Sequence, residues 1–529
     1  MKFKIGIILI FLGSVFFTSE KFINTENTVK FYITIFSLFG GGIVLFLGSK
    51  NIKSSVQEMT SMMAMKGLYL VGVAQSLYGI LQYLGKFSSN HQAFAVTGSF
   101  DNPAGFISVL TLLFPIGIYW CVKSKKQEQR FVYFSLGLLL FSIILSGSRI
   151  GLLTAIISAI LICNMEFQLV SKIRHSKSVN LYVVCVAIFC VFGSFALYKW
   201  KPDSINGRFL VWKVSAKMIK DKPVLGFGHN GFQANYMNYQ AQYFIQNPHS
   251  RFKQLADNVA HPFNEFIKIT VNYGIIGVLL YALFISFIIW RLHKLKHPQC
   301  SILLGGYISF FLLSCFSYPL QYAPVWFLLG YFTLCVFKDK LPERRISSII
   351  KFPILGVCFS GIIIFSFKLY RELVWKDIAI QSLQGKTQEM LPHYERLYPD
   401  MQNNPLFLYN YGAELKVAKR YKESITLLNQ CQKKLNDYDL QILLATNYLQ
   451  IGDTASAIKT YQYAENMIPC RFLPLYYQFE IYKKHNDVRN ATSVAKQIIT
   501  KQVKIKSSTV ELIIAKAENY LKGAKEDLY

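Results

Sequence analysis

Arg149 stands in the stretch SGSRIGLL, Arg208 stands four residues before Trp212 in INGRFLVW, and His261 stands four residues before Glu265 in AHPFNEF. A guanidinium carries a permanent charge on a planar fork that fits pairs of anionic oxygens. An imidazole with an ordinary pKa near 6.5 takes or directs a proton at neutral pH. A carboxylate one helical turn along can fix the tautomer of that imidazole. The set suits a reaction with a negatively charged group to hold and a proton to move. Each member also has a plainer reading. Arg149 can reach lipid headgroups from the end of an apolar stretch. His261 can cap a helix at a membrane interface, and Glu265 can be a solvated first-turn carboxylate favoured by the helix dipole. His249, in NPHSRF, reads chiefly as a loop residue, with substrate contact as the alternative. Asp101 and Asn102, in SFDNPAGF, read first as a helix start and second as polar contacts for a substrate.

The elements that must position these residues are oily. The chain of 529 residues is 52% hydrophobic, with a mean hydropathy of +0.30. Up to residue 370 the apolar residues gather in runs long enough to cross roughly 30 Å of hydrocarbon as helices. About eleven spans are expected at that length, near 5–18, 29–48, 61–84, 104–121, 131–146, 149–164, 180–198, 267–290, 301–318, 322–337 and 352–369. The first run is short enough for a signal peptide, but no small-x-small cleavage pattern follows it, so it reads as a span. After residue 370 an ordinary amphipathic composition takes over. The expected fold is all-α: a polytopic transmembrane helix bundle over 1–370, including a large external loop at 199–264, then a soluble α-solenoid over 371–529.

The net charge of +28 does not mark a nucleic-acid binder, because the basic residues crowd into short loops between spans. KSKKQEQR (123–130), SKIRHSK (171–177), RLHKLK (291–296) and KDKLPERR (338–345) fall on the same side as the N-terminal MKFK. By the positive-inside rule that side is cytoplasmic. Arg149, the loop 199–264 and everything after residue 370 are then external. A loop of that length, rich in aromatics, histidines and glycines, points to function rather than disorder. The ten cysteines show no metal-like spacing.

The tail is self-similar at a period of about 34 residues. LYNYGAELKVAKRYKESITLLNQC (408–431), QILLATNYLQIGDTASAIKTYQYA (441–464) and LYYQFEIYKKHNDVRNATSVAKQI (475–498) align, with small residues at Ser424, Ala457 and Ala491. A degenerate fourth unit falls in 376–405. The pattern resembles the tetratricopeptide repeat, whose stacked helix pairs usually present a surface to a peptide or protein. A rigid cap on the membrane domain is the alternative.

Four pieces in the membrane part carry a second resemblance: TGSFDNPAGF (97–106), SGSRIGLL, the R-x-x-x-W stretch with KDKPVLGFGHNGF, and AHPFNEFIKITVNYGIIG. Together, over roughly residues 60 to 340, they resemble the O-antigen ligase family with its relatives, the Wzy-type polymerases and bacterial O-oligosaccharyltransferases. The resemblance implies metal-independent, inverting transfer of a glycan from a polyprenyl-pyrophosphate donor at the outer face of the bacterial inner membrane. The acceptor would be lipid A-core, another glycan or a protein hydroxyl. Membrane lipids surround the protein, and no cofactor or nucleic acid is implied. Arg149 and Arg208 would hold the pyrophosphate. His261 would be general base or acceptor orienter, with Glu265 setting its imidazole. Asp101, Asn102, His249 and Asn264 are further candidate contacts. The chain departs from the family in one place: histidine and asparagine, often adjacent there, are separated here as His261-Pro262-Phe263-Asn264.

GFGHNG (226–231) fits G-x-G-x-x-G, but no strand precedes it and no βαβ unit surrounds it, so it reads as a turn-forming loop. A secondary transporter would carry ionisable residues or broken helices near the midplane. The expected spans are nearly free of acidic residues. A membrane scaffold displaying its tail is the non-enzymatic alternative, and it leaves Arg149, Arg208 and His261 without a shared purpose.

Overall fold

Backbone amides inside hydrocarbon have no water to bond to, so apolar runs must close their hydrogen bonds internally as helices. The computed structural model describes residues 2–48, 52–168, 202–294, 299–341 and 348–526, and among these every regular element is helical. The helices are α1 (Lys2–Phe16), α2 (Asn27–Gly48), α3 (Ile52–Met59), α4 (Met62–Tyr83), α5 (Pro103–Lys123), α6 (Lys126–Leu145) and α7 (Arg149–Phe167). Then come α8 (Pro202–Asp221), α9 (Gly231–Gln246), α10 (Glu265–His293), α11 (Cys300–Phe316), α12 (Ala323–Phe337) and α13 (Ser348–Gln381). Among the described residues, α2, α4, α5, α6, α7, α10 and the apolar part of α13 are long and apolar enough to cross a membrane, and α1 and α11 are apolar but shorter. The expected span at 180–198 and the basic loop at 171–177 lie outside the described residues.

The chain forms two compact units. One comprises Met1–Leu197, Phe263–Phe266 and Leu279–Lys376; the other comprises Tyr198–Pro262, Ile267–Val278 and Asp377–Tyr529. Nearly all of the loop 199–264 clusters with the C-terminal helices.

In the first unit α5 is the hub, packed against α4, α6, α7, α11 and α12. Its residues are apolar around the whole circumference, as a helix enclosed on all sides must be, and Phe106, Val109, Leu110, Leu112, Leu113 and Ile116 are fully buried. Polar pairs set the level of the helix ends. Lys123 at the end of α5 meets Glu166 near the end of α7 at 2.7 Å, and Ser301 at the start of α11 donates to the same carboxylate at 2.8 Å. Lys66 in α4 meets Glu128 in α6 at 3.1 Å. The first residues of α5 and α7, beside Asn102 and at Arg149, therefore lie at the opposite level. There the buried Lys30 ammonium donates to the carbonyls of Phe17 (3.2 Å), Glu26 (2.8 Å) and Ser99 (2.8 Å), pinning α1, α2 and the loop before α5 together.

The second unit holds α8, α9 and a run of C-terminal helices: α14 (Thr387–Met401), α15 (Pro405–Val417), α16 (Tyr421–Gln432), α17 (Tyr438–Gln450), α18 (Thr454–Met467), α19 (Leu473–Lys484), α20 (Val488–Thr500) and α21 (Ser508–Glu526). Each packs on the next in the series. The three self-similar stretches each cover one pair: α15–α16, α17–α18 and α19–α20. Ser424, Ala457 and Ala491 are fully buried, because a second helix approaches where each side chain is small. The turns repeat too. Lys419, Gly452 and Asn486 have φ of 63°, 83° and 55°, which reverses the chain within each pair. Asp453 and Asp487 then cap the following helices by accepting from Ser456 N and Asn490 N.

Candidate functional site

Arg149 opens α7. Gly147 turns the chain with φ 66°, and the Ser148 hydroxyl caps the helix by accepting from Gly151 N at 3.2 Å. Arg149 is half-buried at this helix start. In the same unit Asn102 caps α5, its side-chain oxygen accepting from Ala104 N at 3.0 Å with Pro103 as the first helical residue. The capping reading of Asn102 thus describes what the side chain does. Asp101 bonds to Asn27 and faces Lys30; burial, with Glu26 second among the raising causes, pushes its carboxyl above the ordinary range.

Arg208 and Trp212 lie one turn apart on α8, so they share a face. Leu210, Val211, Val214 and Met218 are buried, and α8 packs on α9. Trp212 Nε1 donates to the carbonyl of Pro262 at 2.9 Å. That bond ties the helix of Arg208 to the loop of His261, whose neighbour is Pro262. The structure thereby brings these two candidates onto one supported substructure. His261 is half-buried, and its imidazole pKa is lowered to about 3, first by burial and then by the Lys268 ammonium. It is a neutral imidazole at physiological pH.

After Pro262 the chain passes to the first unit for four residues. Phe263 adopts a left-handed backbone (φ 54°), costly for a bulky residue. Its ring packs edge-on against Tyr318 at 5.7 Å. Asn264 Nδ2 donates to the Cys315 carbonyl at 2.8 Å, and Glu265 Oε1 accepts from Leu320 N at 2.9 Å. Glu265 is 1% exposed, so the solvated first-turn reading does not hold. Asn264 anchors the start of α10 to the end of α11, and Glu265 anchors it to the turn between α11 and α12. His249 is exposed, in the turn after α9.

α10 is interrupted at Gly274, whose φ of 62° and ψ of −159° belong to a region reserved in practice for glycine. A break leaves helix carbonyls and amides without their usual partners, which is costly in an apolar setting. The loop 223–228, which leads into GFGHNG, supplies them. Phe227 N and Gly228 N donate to the carbonyls of Val271 and Asn272 at 2.8 Å each, and Ile275 N donates to Pro223 O at 2.8 Å. Asn272 also accepts from Phe232 N through its side chain at 2.9 Å, fixing the start of α9. A Cβ on Gly226 would strike the backbone of Asn272, and one on Gly274 would strike the Val224 carbonyl. Gly226 and Gly274 serve close backbone contact, whereas Gly228 and Gly226 have the positive φ of 87° and 66° that a turn here needs. Asn272 and the Trp212 bond escaped the sequence reading. An asparagine within an apolar span was the available signal for the first.

Residues 134–282 match the O-antigen ligase family model. Arg149, Arg208, His249, His261, Asn264 and Glu265 all fall inside the match with this O-antigen ligase family; Asp101 and Asn102 precede it. Among curated proteins, none matches the chain. Among the described residues no three His, Cys, Asp or Glu side chains cluster as a metal-ligand set requires.

Proposed function

We propose that the chain is an integral-membrane glycosyltransferase that moves a glycan from a polyprenyl-pyrophosphate donor to an acceptor hydroxyl at the outer face of a bacterial inner membrane. The observation that supports this reading is the match of residues 134–282 to the O-antigen ligase family, a range of the sequence that includes Arg149, Arg208 and His261. The acceptor oxygen attacks the anomeric carbon, the bond to the pyrophosphate breaks, and the leaving group keeps the electron pair. Arg149 and Arg208 hold the pyrophosphate oxygens, whose negative charge grows as the bond breaks. The neutral His261 accepts a hydrogen bond from the acceptor hydroxyl, orients it, and takes its proton as the leaving group departs. Glu265 and Asn264 are positioning residues: their bonds to Leu320 N and Cys315 O fix the chain that follows His261. The N-terminus is cytoplasmic, and the C-terminal helices form a tetratricopeptide-like domain in the periplasm.

Separate Arg149→Lys, Arg208→Lys and His261→Gln variants test the proposal. Lysine keeps the charge and loses the fork, so each arginine variant should lose at least about tenfold in transfer, with a raised KM for the donor. His261→Gln should lose about 10²–10⁴-fold, mainly in kcat. Unchanged surface glycan in all three at normal protein level would favour a scaffold. A deletion strain separates the acceptors. Lost long-chain lipopolysaccharide with accumulated lipid-linked polymer means a ligase, single-repeat lipopolysaccharide a polymerase, and altered glycoproteins alone a protein transferase.

A further inference from the structure

The C-terminal helices bond to another part of the same chain. Segment 231–262 runs along them. α9 packs on α18. The Asn238 side-chain oxygen accepts from both Asn436 Nδ2 and Tyr463 OH. Asn258 makes a paired contact at the start of α17: its Oδ1 accepts from Tyr438 N at 3.1 Å and its Nδ2 donates to Asp439 at 3.1 Å. It thus satisfies one of the amides that a helix start leaves open. The Ala256 carbonyl, fully buried, receives Lys504 Nζ at 3.5 Å, and Arg471 meets Asp257 at 3.5 Å.

Gln240 joins these contacts. It is fully buried, and an amide there must find partners for each polar atom. Its oxygen accepts from Tyr236 OH at 2.8 Å. Its Nε2 donates to Met467 O at 2.7 Å, at the end of α18, and to Asp257 O at 3.2 Å. One side chain therefore bonds the repeat helices to the backbone four residues before His261.

We propose that the C-terminal helices act as an intramolecular clamp: they bind segment 231–262 in cis, and Gln240 and Asn258 are positioning residues that hold the segment presenting His261. The proposal rests on the reading of His261 as a group of the transfer site. It assigns this face of the tail to the chain itself, in place of a separate protein partner.

The test uses the full chain in lipid nanodiscs with Gln240→Leu and Asn258→Ala variants, hydrogen exchange by mass spectrometry, and a transfer assay on a polyprenyl-pyrophosphate-linked glycan. Loss of the clamp should speed amide exchange in 252–262 by about tenfold while α17–α20 stay protected. It should lower kcat by about tenfold or more and leave the donor KM within about twofold, because misplacement costs the reacting geometry rather than pyrophosphate binding. Unchanged exchange and unchanged kcat in both variants would overturn the clamp. If Gln240→Leu loosens the tail itself, Asn258→Ala, at a partly open site, decides alone by the same two readings. His261→Gln separates the two ideas. Full activity in that variant overturns the catalytic reading alone, whereas an inactive His261→Gln beside an unmoved loop in both clamp variants overturns the clamp alone.

Discussion

At the scale of the residue, the instructive group is His261. Its type marked it as a proton handler, yet burial and Lys268 hold its pKa at about 3, far below the ordinary value near 6.5. So weak a base is better suited to accepting a hydrogen bond from a hydroxyl than to carrying a proton before the reaction begins. The shift also fixes a sign. The folded state keeps the imidazole neutral while the unfolded chain protonates it below about pH 6.5, so unfolding takes up a proton between about 6.5 and 3. Stability from this group is fully present above pH 6.5 and is lost as the pH falls through that window. His261→Gln, which stays neutral throughout, should lose less melting temperature than the native chain between pH 7 and pH 4.5. An equal loss in both would show that the imidazole is protonated in the fold. The same shift means that transfer should show no acid limb near pH 6.5 arising from this side chain.

At the scale of the element, the break in α10 turns on the difference between two glycines. Gly228 and Gly274 both have positive φ, 87° and 62°. A Cβ on Gly228 meets open space, while one on Gly274 meets the Val224 carbonyl. Gly228→Ala should therefore cost only the backbone strain, about 1 kcal/mol. Gly274→Ala adds a collision with backbone that cannot move without freeing the loop, and should cost about 3 kcal/mol or more. Thermal melts of the two variants in the same detergent check the order; equal shifts would mean that loop 223–228 does not lean on the break. Much of this level could be read in advance. Long apolar runs, Asn102-Pro103 and the turns at Gly452-Asp453 announced their helices, because those signals are local. The interruption of α10 left only Asn272 within the apolar run as a signal, since Asn272-Tyr273-Gly274 matters only once a distant loop arrives to satisfy it. The clamp was equally hidden. The bond between Asn238 and Tyr463 spans 225 positions, and no periodicity encodes a partner so far away.

At the scale of the whole molecule, the chemistry proposed for Arg149, Arg208 and His261 depends on which side of the membrane they face. Lys123 with Glu166 and Lys66 with Glu128 offset two basic charges at one level, leaving Lys125, Lys126 and Arg130 as the excess of the α5–α6 turn. Each uncompensated lysine or arginine near an anionic leaflet contributes about 1 kcal/mol toward remaining there. The exposed turn 247–249, Asn-Pro-His, carries no lysine or arginine, with Arg251 two residues beyond His249. The charge bias therefore predicts that an epitope inserted at His249 is bound by antibody on intact spheroplasts, while the same epitope at Ser124-Lys125 is bound only after permeabilisation. The reverse pattern would put the loop with Arg208 and His261 in the cytoplasm, where a donor displayed on the outer leaflet is out of reach. It would overturn the outer-face transfer while leaving the clamp between segment 231–262 and the C-terminal helices intact.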